Sequence, residues 1–129
     1  MTFAITAPYA ALLALILIVL TQLVIRTRGK TTITLGDRGD DRLLEASRRQ
    51  MNFVENVPMA VILMMLAEAG GASSMWLNIA GLVLVASRII HPFGITIAVA
   101  AHPLRIGGAV ATLAVQLAMI VIIAMQYFA

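Results

Sequence analysis

The sequence predicts an all-α integral membrane protein, a single domain over residues 1–129 built as a bundle of four transmembrane helices. The first observation is composition: 61% of the residues are hydrophobic and 12% are charged, and the mean hydropathy is +0.99. Soluble domains lie nearer half apolar and a quarter charged. The second is that the chain contains four apolar runs, each close to the roughly 20 residues that a helix needs to cross the hydrocarbon core.

The four predicted helices differ in how they begin. The first, 7–25, lacks a basic segment before it and is followed by charged residues, so it is interpreted as a retained span rather than a signal peptide. The second, 41–69, opens at Asp41, an expected N-cap, and is long enough to project beyond the bilayer core. The remaining helices are predicted at 75–91 and 106–128, with the hydrophilic segment 26–40 as the one long loop.

The distribution of charge predicts the orientation in the membrane. Every basic residue lies in or beside the first and third connections, which four spans place on one side: Arg26, Arg28, Lys30, Arg38, Arg42, Arg48, Arg49, Arg88 and Arg105. The positive-inside rule makes loops 26–50 and 92–105 cytoplasmic, with both termini outside, which in a bacterial inner membrane is the periplasm. Because the basic residues flank the membrane, the pI of about 10.2 indicates topology and a lipid bilayer as partner, not nucleic acid.

Several chemistries are disfavoured by what the chain contains. It has no cysteine, so any thiol must arrive with a substrate. The two histidines and nearby glutamates lack metal-ligand spacing, so no metal is predicted.

Glu68 is interpreted as a solvated helix end. On the last helix, Gly107, Ala111, Ala114 and Ala118 form a row of small residues. Such a row either lets helices approach closely or reflects how common alanine is in membrane helices.

The stretch RRQMNFVENVP, residues 48–58, carries polar groups where the second span should begin. Arg48, Asn52 and Glu55 stand at i, i+4 and i+7, so they share one helix face. An ionisable residue inside an apolar run faces a bundle interior or a cavity and has a partner. An ion pair that fixes packing, such as Arg48 with Glu55, and a functional site are both compatible with this spacing.

Other helices bring polar residues to the same level. Arg88 and His91 share a face at the end of the third helix, Arg105 opens the fourth, and Arg26 ends the first together with Gln22. The predicted result is a cytoplasm-facing pocket with several guanidinium groups, an imidazole, an amide and a carboxylate. Guanidinium groups bind carboxylates, and a carboxylate binds an ammonium group, so the expected ligand is small and zwitterionic.

These motifs resemble those of the MAPEG family, the membrane-associated proteins of eicosanoid and glutathione metabolism. The pattern R-x-x-x-N-x-x-E-x-x-P is present as Arg48, Asn52, Glu55 and Pro58, within GDRGDDRLLEASRRQMNFVENVPMAVILMMLAEAGG, which resembles the bacterial branch. SRIIHPFGI resembles that branch's R-x-x-H-x-x-G, and P-L-R before the last helix resembles the family's P-x-R. The resemblance covers almost the whole chain.

The resemblance implies a homotrimer of four-helix subunits, with glutathione as co-substrate between neighbouring subunits near the cytoplasmic face. Its implied contacts on this chain are Arg26, Arg48, Asn52, Glu55, Arg88 and His91, with Arg105 as the catalytic residue near the thiol. It also implies that the thiolate attacks a lipophilic electrophile or peroxide from the bilayer, as in a transferase or peroxidase.

Two departures from the family pattern keep an alternative open. The eukaryotic eicosanoid enzymes carry tyrosines where this chain has Ile95 and Ala109. The alternative is a non-catalytic membrane subunit, or a protein that retains the fold and binds another small charged ligand. A small transporter is a weaker alternative, because residues 7–20 contain no charge and the polar cluster lies at one end of the bundle rather than at the midplane.

Overall fold

The computed structural model describes residues 2–128, and within that range the chain folds as four long α-helices with a single 3-10 turn and no strand. The elements are α1 (Thr6–Arg28), α2 (Asp41–Ala69), α3 (Ser74–Ile90), the 3-10 turn (His91–Gly94) and α4 (Pro103–Phe128). Each of the four helical segments is long and apolar enough to span a membrane. The protein is therefore an integral membrane protein with four spans.

The helix ends differ from the sequence expectation where loops meet helices. α1 continues beyond residue 25 to Arg28, and α4 starts at Pro103 instead of 106, because proline fits the first helical turn. The N-cap of α2 is Asp40 rather than Asp41: its carboxylate accepts a hydrogen bond of 2.8 Å from the amide of Leu43. α3 ends at Ile90, and the chain turns through the 3-10 segment at Pro92.

The helices run up and down, so the two connections 29–40 and 95–102 share one end, here called the loop end. The tight α2–α3 turn at Gly70 and Gly71 lies at the other end, here called the turn end, where Gly71 has a φ of 85° that favours glycine. α1 and α4 each pack against both α2 and α3.

The core is built from one stripe of each helix. Its buried members are Leu13, Leu20, Phe53, Val57, Ala60, Met64, Ala67, Leu77, Ala80, Leu84, Val115 and Met119. The opposite faces carry many exposed large apolar side chains, as expected of helices whose outer solvent is hydrocarbon.

Glu68 is not a solvated helix end. Its carboxylate accepts hydrogen bonds from the amides of Ile5, at 2.9 Å, and Thr6, at 2.8 Å, and so holds the start of α1 against the end of α2. The first amides of a helix lack intrahelical partners and attract negative charge. Glu68 therefore acts as an N-terminal cap supplied by another helix.

Candidate functional site

A polar cavity of about 210 Å³ opens between α2, the third connection and the start of α4. Four residues singled out by their spacing or motif line it together: Arg48, Asn52, Glu55 and Arg105. The first three come from one face of α2, as their i, i+4 and i+7 spacing requires. Arg105 arrives from α4, whose first turn packs against the 3-10 turn.

The backbone approach that brings Arg105 to the cavity depends on Gly94. A Cβ at Gly94 would overlap the backbone N and Cα of Arg105. Only glycine permits this approach, so the 3-10 turn sets the position of the α4 start. The guanidinium of Arg105 is exposed and its Nη1 lies 3.4 Å from the carbonyl of Ala100.

Arg88 lies directly behind the cavity and is held by neutral acceptors. Its side chain is 2% exposed. Nη1 donates to Oδ1 of Asn52 at 3.1 Å, and Nη2 donates to the carbonyl of Gly108 at 2.8 Å and to the hydroxyl of Thr112. Arg88 therefore fixes the Asn52 amide with its oxygen turned inward, so the amide NH₂ is the group left for a ligand.

His91 and Arg26, also expected at the pocket, do not line this cavity. His91 is 3% exposed and packs against α4, where a Cβ at Gly108 would meet its side chain. Arg26 is exposed at the end of α1. In a single chain the structure thus gathers Arg48, Asn52, Glu55 and Arg105, adds Arg88 one hydrogen bond away, and leaves His91 and Arg26 outside the cavity lining.

The cavity has a second carboxylate that the sequence analysis missed. Glu45 lines it and forms an ion pair of 3.1 Å with Arg49, the one salt bridge among residues 2–128. Arg49 donates to the carbonyl of Ile95 through Nε and Nη2, at 3.1 and 2.9 Å. Oε1 of Glu45 accepts from the amide of Ile97 at 2.9 Å. The i, i+4 spacing of Glu45 and Arg49 was the available signal for this pair.

The Glu45–Arg49 pair fixes the wall of the cavity formed by residues 95–97. This segment has no helix or strand partner of its own, so the two side chains supply its backbone hydrogen bonds. Ile95, at one of the two positions compared above with tyrosines of the eukaryotic eicosanoid enzymes, is buried and lines the cavity, whereas Ala109, at the other, is exposed on α4. The Arg48–Glu55 ion pair considered from the sequence is not formed in the described chain.

No group of three or more metal-ligating side chains occurs within the described residues 2–128. The cavity instead combines two guanidinium groups, two carboxylates and an amide. Such a set can bind both signs of charge on one small molecule, through bidentate guanidinium–carboxylate contacts and carboxylate–ammonium contacts.

Comparison with known proteins agrees with the motifs. The sequence profile of the MAPEG family matches residues 6–125. The chain is similar to Inner membrane protein YecN of Escherichia coli strain K12, with 38% identity over 90 residues that cover 70% of this chain and 69% of that protein. The YecN of E. coli O6:H1 strain CFT073 matches to the same extent. No solved structure matches. The chain belongs to the MAPEG family.

Proposed function

We propose that this protein is a membrane-bound, glutathione-dependent transferase or peroxidase-like protein that binds glutathione in the polar cavity between α2 and α4. The proposal rests on one observation: a single cavity is lined by Arg48, Asn52, Glu55 and Arg105. These are the positions that match the family's glutathione motif and its P-x-R arginine.

The chemistry of the cavity fits the charges of glutathione, which has two carboxylates, one ammonium group and a thiol. Arg48 and the Asn52 amide suit a carboxylate, while Glu55 or Glu45 suits the ammonium group. Arg88 contributes indirectly, because its hydrogen bond sets the direction in which the Asn52 amide can donate.

Arg105 is the proposed activator of the thiol. A free thiol has a pKa near ~8.5 and reacts as the thiolate, which an adjacent guanidinium favours by roughly 1–3 pKa units. The thiol proton passes to water, and the sulfur forms a bond to the electrophilic carbon of a lipophilic substrate. The bond between that carbon and its leaving group breaks, and the leaving group departs with the electron pair. With a peroxide, two glutathione molecules supply the two electrons that reduce the O–O bond and leave as a disulfide.

Two exposed side chains support a homotrimer with the site between neighbouring subunits. Glu55 is exposed in the single chain although it lies inside a membrane-spanning helix. A carboxylate facing lipid is costly, so a neighbouring subunit that covers this side of α2 accounts for it. Arg26 is exposed and lies outside the cavity lining of its own chain, as expected of a residue that contributes to a neighbour's cavity.

The proposed orientation places the loop end in the cytoplasm, where glutathione is abundant. The positive-inside rule supports it, since the basic residues gather at that end. The termini and the turn end then face the periplasm of a bacterial inner membrane.

A second candidate is a non-catalytic subunit or a binder of another small charged ligand. Ile95 favours it, because this buried aliphatic side chain lines the cavity where the related eicosanoid enzymes carry a tyrosine hydroxyl. Such a protein would bind its ligand without raising the thiolate fraction.

The test is a calorimetric titration of glutathione into the detergent-purified protein, combined with the ultraviolet absorbance of the thiolate. We expect binding and a thiolate signal at neutral pH, and a thiolate fraction lowered about tenfold in Arg105→Ala, which corresponds to one pKa unit. Arg38→Ala, in the exposed first loop, is the matched control. Absence of binding at millimolar glutathione by a folded oligomer would contradict the proposal, and binding without a thiolate signal would favour the second candidate.

A further inference from the structure

A second cavity, of about 340 Å³, lies between α1 and α3. Its walls are apolar side chains, among them Leu15, Val19 and Leu23 of α1 and Ile89 and Phe93 beyond them. The exceptions are Arg49 and Arg88. This cavity, here called the α1–α3 groove, follows α1 from near the bilayer midplane toward the loop end.

The groove continues into a polar mouth. A cavity of about 200 Å³ shares Leu20, Leu23 and Arg49 with the groove and is otherwise lined by more polar residues, including Thr27, Arg42 and Glu45. Thr27 lies in the last turn of α1 and Arg42 in the first turn of α2, so the mouth stands at the level where the helices leave the hydrocarbon. The combined site is apolar at depth and basic at the membrane surface.

The charges around this site are not balanced. Three guanidinium groups, those of Arg42, Arg49 and Arg88, face one carboxylate, that of Glu45. Arg49 uses Nε and Nη2 for Ile95 and Glu45, which leaves Nη1 for another acceptor. Arg42 is exposed, and Arg88 is buried with its Nε without a hydrogen-bond partner in the described chain. An anion at the mouth would pair with Arg42 and Arg49, the two guanidinium groups that line it.

We infer that the α1–α3 groove binds one anionic phospholipid of the adjoining leaflet, with its phosphate at Arg42 and Arg49 and one acyl chain along α1 toward Leu15. Guanidinium groups pair with phosphate oxygens through two parallel hydrogen bonds, and basic pockets beside membrane helices select anionic head groups. A zwitterionic lipid would bring a quaternary ammonium group toward the guanidinium groups of Arg42 and Arg49, so the net positive charge of the mouth selects against it. The site shares Glu45 with the proposed glutathione cavity, but neither the proposed phosphate contacts, Arg42 and Arg49, nor the α1 residues along the acyl chain line that cavity.

The test is native mass spectrometry of delipidated protein in neutral detergent, titrated with dioleoyl phosphatidylglycerol or dioleoyl phosphatidylcholine. We expect one phosphatidylglycerol per chain, bound at least about fivefold more tightly than phosphatidylcholine. Arg42→Gln removes one charge-assisted contact and should weaken phosphatidylglycerol binding by roughly tenfold. Val19→Trp fills the groove and should weaken binding of both lipids.

Matched controls separate a built site from general attraction. Arg38→Gln removes another exposed loop arginine, and Ile18→Trp enlarges a neighbouring residue on α1 that lines neither cavity. Ile18 and Val19 are similarly exposed, at 56% and 59%, so both substitutions keep the core intact. Equal binding of the two lipids, or an equal loss in Arg38→Gln, would overturn the inference. The inference is also overturned if the wild-type protein binds no lipid. If, in addition, Val19→Trp changes the oligomeric state, the groove is occupied by a second copy of the chain. None of these lipid titrations uses glutathione, so their result does not depend on the proposed function.

Discussion

Arg88 contributes both to the packing of the helices and to the polar cavity, because it bonds α4 and the cavity residue Asn52 at the same time. Its guanidinium is buried among neutral oxygen atoms from three places, the Asn52 side chain, the Gly108 carbonyl and the Thr112 hydroxyl. Thr112 itself donates to the Gly108 carbonyl at 2.9 Å and lies 3.2 Å from the Ser87 hydroxyl. Removing the guanidinium leaves the Asn52 side-chain oxygen and the Thr112 hydroxyl without their donor, although the Gly108 carbonyl keeps its bond from Thr112, and unsatisfied acceptors cost more than the net value of the bonds lost.

Replacing Arg88 by methionine should therefore lower the free energy of unfolding by about 1–3 kcal/mol, because three hydrogen bonds to the guanidinium are lost together. The measurement is denaturant or thermal unfolding in detergent. Arg48→Met is the matched control: Arg48 is an exposed arginine at the same end of the bundle, and its replacement should stay within about 0.5 kcal/mol of the wild type. Equal losses in the two variants would contradict this role for Arg88.

At the residue scale, spacing along one helix was the reliable predictor of proximity. Arg48, Asn52 and Glu55 share a face because a helix repeats every 3.6 residues. His91 and Arg26 were expected at the cavity because they reach the same depth, but depth does not determine the direction of a side chain. His91 turns toward Gly108 because glycine leaves room there. The direction of the His91 side chain depends on how two elements pack against each other, and the spacing of residues within one helix does not reveal that packing.

At the scale of elements, the buried face of α4 does not coincide with the row of small residues found in the sequence. Gly107, Ala114 and Ala118 are exposed on α4 and Ala111 is partly buried. The buried row lies one position later: Gly108, Thr112, Val115 and Met119. The sequence could not separate these rows, because both have helical spacing and only the neighbouring α3 decides which one faces inward.

Gly107 and Gly108 provide an adjacent pair for testing this contact. A Cβ at Gly108 would meet the His91 side chain and the carbonyl oxygen of Ser87, whereas a Cβ at Gly107 meets nothing within 4 Å. Gly108→Ala should destabilise the protein by about 1–3 kcal/mol through overpacking. Gly107→Ala should be neutral or stabilising by up to about 1 kcal/mol through helix propensity. The two variants are compared by thermal unfolding in detergent. Equal changes in stability would show that α4 is not tightly packed against His91 and Ser87 at Gly108.

The elements themselves were predictable, since apolar length and charged boundaries define membrane helices. The sequence did not predict the hydrogen bonds by which a side chain of one helix caps the backbone of another element. Asp40 caps its own helix, so a sequence signal existed but pointed one residue late. Glu68 caps a helix that is distant in sequence, and Glu45 and Arg49 hold a loop beyond α3. Such contacts depend on which helices become neighbours.

At the scale of the whole molecule, the asymmetry of charge is the feature that sets the proposed orientation. The basic residues gather at the loop end, and among the acidic residues Glu68 alone lies at the turn end. The absence of cysteine from the sequence makes single-cysteine variants clean reporters of this topology.

Cysteine labelling on spheroplasts tests the orientation. Leu35→Cys lies in the first connection at a residue that is 80% exposed, and Ser73→Cys lies in the exposed α2–α3 turn, where the serine side chain makes no capping hydrogen bond. A membrane-impermeant maleimide should label Ser73→Cys on intact spheroplasts and Leu35→Cys only after permeabilisation. The reverse pattern would contradict the proposed cytoplasmic loop end.

The contact of Glu68 with the first residues of α1 has a consequence for the order in which the protein is made. The carboxylate lies 63 and 62 residues beyond the amides of Ile5 and Thr6, so the ribosome completes α1 and the first loop well before it adds the group that receives them. Until then, water at the membrane surface must hydrate those amides. The α1–α2 hairpin is thus the shortest nascent chain that contains both the start of α1 and its final partner.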